Sequence, residues 1–261
     1  MLLFACSPER NLARKYVKHH TGNGIMIIPL FELYKDNLTI TYDTNIIYSE
    51  SQLDSIAWEQ SCYIKYVSDS VFLTSFTNSM IKELSASGYD VYVDEGSDVF
   101  LSLPDPKWMV QVAQLQLNED YRYEDLVLSS IGRSVPYTQR FRVNQVNLKS
   151  WFEVSRANTE TKQILYLEGY IQDHFHKAVN FNVLEGSVDV AGKRDSLKMD
   201  NVYMMAEELG QKHGELLFDY FLNDYIRDHF PPGIVHREYF HYNRQKKSLK
   251  RGLKERFDVV N

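Results

Sequence analysis

The sequence predicts an α/β (α+β) domain in which a mixed, mostly antiparallel sheet is packed by two main helices. Three stretches predict it: a helix, glycine and strand over residues 68–93, two long strands around a polar turn at 141–175, and a long amphipathic helix near 199–229. Length and composition agree. The chain has 261 residues, 44% of them hydrophobic and 25% charged, ordinary for one folded domain and unlike a disordered chain, a collagen repeat or a disulfide-dense mini-domain. No apolar run reaches the roughly 18 residues a membrane-spanning helix requires.

Residues 7–24 are polar and basic and end in Thr21-Gly22-Asn23-Gly24, so they read as a tether closed by a turn. Ile25 to Phe31 is an apolar run interrupted by Pro29, the mark of a buried strand with its far end at an edge or bend. Leu38 to Tyr42 alternates weakly as a second extended piece, and Cys62 reads as half-buried at a strand edge.

Ser68 or Asp69 can cap the next helix through a side-chain oxygen. Phe72, Phe76, Met80 and Leu84 recur every four residues, with Leu73 and Ile81 widening the stripe, and Gly88 ends it. Tyr89, Val91 and Val93 then alternate as a strand. After Pro104-Asp105-Pro106 comes a strand from Trp108 to Leu117, followed by a connecting loop over 119–138. Phe141 to Val154 and Gln163 to Phe175 form a hairpin about the polar turn Arg156–Thr161.

The last helix runs from Met199 to His229. Val202, Ala206, Leu209, His213, Leu216 and Tyr220 make its buried stripe, with Glu207, Glu208, Lys212, Glu215 and Asp219 mainly outside. Gly210 and Gly214 allow another backbone to approach closely. Pro231-Pro232-Gly233 stops the helix. The expected organisation is a short leader remnant (1–6), a tether (7–24), a globular domain (25–235) and a basic tail (236–261).

Charge sets that tail apart. Between His236 and Phe257 eight cations face only Glu238 and Glu255, a net of +6 in a chain of −6, which leaves −12 elsewhere. A basic tail on an acidic body points to an anionic partner or to the tail folding back on the body. The residues assigned to that contact are Arg237, Arg244, Lys246, Lys247, Lys250 and Arg251.

The common catalytic signatures are absent from the sequence: no GxxxxGK[ST] loop, HExxH, GxSxG or CxxC pair occurs. Gly22-Asn23-Gly24 opens like a dinucleotide turn, but Ile27 stands at the third glycine and the motif precedes a strand. His174 and His176, beside Asp173, point to one face of a strand and could form half of a zinc or iron site. No spacing brings His213, His229, His236 or His241 to them, so an exposed or hydrogen-bonded pair is expected, with no metal and no cofactor. His213, in an apolar stripe, reads as a satisfied core histidine. Asp94, Glu95 and Asp98, like Asp219, Asp224 and Asp228, read as solvated faces, and no catalytic residue is assigned.

Leu3-Phe4-Ala5-Cys6 is the remaining motif. Leu three before a cysteine and a small residue one before it resemble the lipobox of bacterial lipoproteins. The resemblance covers residues 2–7 and implies the end of a signal peptide whose basic start and apolar core lie upstream of Met1. It further implies cleavage before Cys6, diacylglycerol on its thiol and usually an acyl group on its amine. Ser7 in the sorting position favours the outer membrane. The function expected is that of a non-enzymatic envelope lipoprotein. It would be held to the membrane through Cys6 and serve a protein partner in an assembly or transport system, as periplasmic accessory lipoproteins do. Two other readings are a hydrolase or metal enzyme built on His174 and His176, and a cytoplasmic nucleic-acid binder using Tyr239, Phe240 and Tyr242 among the tail cations. The acidic body argues against nucleic acid, and no small-molecule substrate is indicated.

Overall fold

A computed structural model describes the backbone of residues 7–128, 137–182, 187–231 and 238–260. The main sheet grows around β4 (Trp108–Leu128), which pairs antiparallel with β5 (Tyr137–Arg156). Two short strands lie end to end along the other edge of β4, both parallel to it: β1 (Gly24–Ile28) beside residues 108–111, and β2 (Tyr34–Asn37) beside residues 116–119. The chain leaves β1 just before Pro29, which has no amide to continue the ladder. β3 (Asp90–Tyr92) adds parallel to β1, and β6 (Lys162–Gln172) adds antiparallel to β5. β11 (Asp258–Val260) closes that edge. The result is the expected α+β domain, a mostly antiparallel sheet with some parallel pairs packed against helices.

Among the described residues there are five α-helices: α1 (Pro8–His19), α2 (Glu50–Gln60), α3 (Asp69–Ala86), α4 (Ser97–Ser102) and α5 (Met199–His229). The predicted stripes of α3 and α5 are the buried ones, and they meet over the sheet. Phe76 of α3 and His213 of α5 both pack on Phe152 of β5, while Trp108 of β4 stacks on Phe221 at 4.7 Å. Gly210 and Gly214 are where the two helices come closest. A Cβ on Gly210 would lie 2.2 Å from the Phe76 carbonyl oxygen, and one on Gly214 3.0 Å from that of Met80. Gly88 turns the chain out of α3 at φ +104°.

Several expectations need correction. Residues 7–24 hold a docked helix rather than a tether. Ala13 and Tyr16 of α1 are buried, the Tyr16 and Tyr89 hydroxyls bond to each other, and the His20 ring lies between the carbonyls of Tyr16 and Ser87 at 3.1 and 2.6 Å. Leu12 and Val17 are half-buried against the same core, but the four cations interleaved with these residues make α1 read as polar in sequence. The second strand is Tyr34–Asn37 and not Leu38–Tyr42. Cys62 is exposed past the end of α2, its amide donating to Glu119, and is not at a strand edge. α3 begins at Ser68 as expected, but the Ser68 hydroxyl approaches Ser70 and caps no amide.

The stretch 119–138 is mostly strand, with residues 129–136 outside the described segments. β4 and β5 continue beyond the end of β6, where Val143 is fully buried and Phe141 packs on Phe175, 4.5 Å between ring centroids, and cross-strand contacts add to this. Asp125 accepts from Arg140 directly opposite, and the Arg142 guanidinium lies 4.1 Å from the Tyr121 ring. β6 stops at Gln172 because Asp173 turns inward, where its carboxylate accepts from the amides of Asn144 and Leu197 and from Arg194. A second hairpin follows, β7 (His174–Asn182) with β8 (Ser187–Asp195).

The C-terminal segment is not a free tail. β9 (Tyr239–Asn243) and β10 (Ser248–Gly252) form a hairpin laid on α5. Residues 232–237, including Arg237, lie outside the described residues, as does Cys6.

Candidate functional site

The hairpin is fastened to α5 by Asp219, one of the acids that the sequence had presented as a solvated face, and its neighbour Asp224 is tied to β5. Asp219 and Asp224 are buried. Asp219 accepts from the Tyr242 amide at 2.8 Å, and its other oxygen lies 3.3 Å from His241 Nδ1 and 3.4 Å from Arg256, at ion-pair distance but without hydrogen-bond alignment. One turn later the Asn223 side chain exchanges two hydrogen bonds with the Phe240 backbone, so it acts as one rung of a strand. Asp224 takes Arg156 and Arg227, and Asp228 also takes Arg156. Periodicity could not reveal this, because apart from Arg227 the partners of these acids are distant in the chain: Arg156 of β5, His241 and Tyr242 of the hairpin, and Arg256.

The six tail cations therefore divide. Arg244 donates to Glu83 at 2.8 Å and to the Ala86 carbonyl at 3.3 Å. Arg251 pairs with Glu238 at 2.7 Å, and the other Glu238 oxygen accepts from the Ser7 hydroxyl at 3.1 Å. Lys246, Lys247 and Lys250 are exposed and pair with no carboxylate among the described residues.

Two clefts flank the hairpin, with Tyr242 in the wall of each. The first, about 140 Å³, lies over α5 and is walled by Glu83, Glu215, His241, Arg244, Lys250 and Arg256. Burial pushes the Glu83 carboxyl above its ordinary range, Arg244 pulls it back, and Glu215 pushes it up again. Both signs of charge meet here, and most of the groups already serve to hold the hairpin. The second cleft, about 340 Å³, lies between α1 and the hairpin. Its cations are Arg10, Arg14, Lys18 and Lys247, and no carboxylate lines it. Arg10, Arg14 and Lys18 were missed as site residues, although their spacing of four was visible in the sequence; the tether reading hid it.

No protein-family model matches the chain, and no curated protein does.

His174 and His176 are exposed on β7, and His176 Nδ1 faces Asp195 across the hairpin at 3.4 Å. The fold does not bring them to His213 or His241, and no three metal-ligating side chains converge among the described residues. His213 is the satisfied core histidine expected. It is fully buried, with Nδ1 at the Leu209 carbonyl and Nε2 2.6 Å from the Ser150 hydroxyl. A neutral ring donates from Nδ1 and accepts at Nε2 from the Ser150 hydroxyl, whose single proton is then contested by its other acceptor, the Leu167 carbonyl at 2.9 Å; the tautomer is assigned from the Nδ1 partner.

Burial depresses the His213 pKa from 6.5 to about 4. The unfolded chain thus binds the extra proton first. This contribution is complete above pH 6.5 and is lost as pH falls towards 4, by about 3 kcal/mol in all. Denaturant titrations across that window are expected to show the slope in the wild type and its loss in His213→Gln; an unchanged slope in the variant would refute the assignment.

Proposed function

We propose that the protein is a non-enzymatic, lipid-anchored component of a bacterial cell envelope, acylated at Cys6 and serving as an accessory or scaffolding part of an assembly or transport system. The outer membrane is the expected location, from Ser7 in the sorting position. The observation that carries this reading is the placement of Ser7. It caps α1, accepting from the Arg10 amide at 3.2 Å, and its hydroxyl is tied to Glu238. An acyl chain on the preceding residue would leave the body from a fixed point, beside the cations of α1. A single chain binds a bilayer only marginally, and a second chain or a basic patch makes the attachment firm. Support for a binding role over a catalytic one comes from the commitments of the chemically able groups. Glu83, Asp219 and Asp224 fasten the hairpin or its neighbours, and His213 is locked in the core.

Protein made from its native gene and isolated from membranes is expected to begin at Cys6, with diacylglycerol on the thiol and an acyl group on the amine by mass spectrometry. Cys6→Ser is expected to be recovered unmodified from the soluble fraction. An unacylated wild-type protein with Met1 intact would overturn the proposal.

A further inference from the structure

We propose that the cleft between α1 and the β9–β10 hairpin is a binding site for a phosphate ester. Four cations line it, three of them on one face of α1 at successive turns, and Lys247 comes from the hairpin turn opposite. A phosphate monoester carries nearly two negative charges at neutral pH and several acceptor oxygens, which suits converging guanidinium and ammonium donors better than a single carboxylate would. The remaining wall is partly apolar. Val17, Tyr242 and Leu249 face the space, so the ester's organic part has surface to cover. About 340 Å³ exceeds a bare phosphate and falls at the lower end of ordinary ligand sites.

The backbone supplies an independent argument. Lys247 has φ +46°, a left-handed conformation that hairpin turns usually give to glycine or asparagine. The turn is held there by the Lys247 amide on the Arg244 carbonyl at 3.2 Å and the Lys246 amide on Asn243 Oδ1 at 2.7 Å. A lysine in that position costs the fold and places a cation at the mouth of the cleft. Strain kept where a side chain faces a cavity is the pattern of a binding residue.

The phosphate could belong to a lipid headgroup or to a soluble ester, and the test separates the two. Full-length Cys6→Ser protein removes any contribution of the anchor, so failure here would leave the acylation proposal standing. Glycerol 3-phosphate is titrated calorimetrically, and co-sedimentation is measured with phosphatidylcholine vesicles with and without phosphatidate. Binding to glycerol 3-phosphate identifies a soluble ester, and binding to the phosphatidate vesicles alone identifies a headgroup. In either case Arg10→Ala/Lys18→Ala is expected to weaken binding tenfold or more. Lys247→Gly is expected to weaken it by about tenfold while leaving the melting temperature unchanged or higher, which separates binding from folding. The proposal is overturned if neither probe binds, if plain phosphatidylcholine vesicles bind equally, or if these variants bind like the parent.

Discussion

Gly210→Ala is expected to destabilise the protein by about 3 kcal/mol, despite the higher helix propensity of alanine. Propensity alone favours the substitution by about 1 kcal/mol. Against it stands a methyl group 2.2 Å from the Phe76 carbonyl oxygen and 3.1 Å from its Cα, where backbone, not a yielding side chain, is the obstacle. Relief requires α3 to move off α5, and that loosens Phe72, Phe76, Met80 and Leu84 together, all fully buried. Interiors packed at crystal-like density transmit such a displacement instead of absorbing it. The melting temperature followed by circular dichroism should fall by roughly 10 °C. A wild-type melting curve would mean that the helices can separate without loss.

Glu119→Gln is expected to cost about 2–4 kcal/mol. Glu119 is 2% exposed at the end of the parallel register with β2, and its carboxylate organises the chain after α2. One oxygen accepts from the Cys62 amide at 2.8 Å. The other takes the Ser61 hydroxyl at 2.8 Å and the amides of Tyr63 and Ile64 at 2.9 and 3.3 Å. All four partners are donors. An amide must turn its NH₂ towards one side, so it faces either the Cys62 amide or the other three. Glu119→Ala, which leaves every donor without its acceptor, should cost more. Unfolding midpoints in denaturant measure the total, and faster hydrogen exchange at residues 62–64 locates it. A Gln variant within about 0.5 kcal/mol of wild type would show that water replaces the carboxylate.

The parts of this fold legible in the sequence are those whose burial is set by one local period. α3 and α5 each show an apolar residue on every turn, and the β5–β6 hairpin has two long extended runs around a polar turn. The β4–β5 extension shows little of such a face in its first strand: Phe141 and Val143 of β5 are covered, but Tyr121, Arg122 and Tyr123 of β4 look like loop residues, with Tyr121 meeting Arg142 across the strand pair and Arg122 meeting Glu124 along its own strand. α1 hides for a related reason: Leu12, Ala13, Tyr16 and Val17 lie towards the core, but four cations are interleaved with them. The tail was legible as charge but not as structure. Asp219 and Asp224 sit on a helix face that composition makes hydrophilic, and only the returning hairpin and Arg156 reveal that the face is covered. The candidate cleft was half legible: Lys247 belonged to the basic segment, whereas Arg10 and Lys18 lie some 230 residues earlier, and no linear pattern joins them.

The bonds from Asp219 and Asn223 to the returning hairpin also set a timetable for biosynthesis. As α5 leaves the ribosome, the acceptor oxygens of both residues lack the Phe240 and Tyr242 amides they hold in the finished protein. The helix can form early, but it cannot bury that face without desolvating groups that have nothing to bind. Native packing therefore waits for the final stretch of translation, and nascent chains halted before residue 239 should stay open to protease along α5.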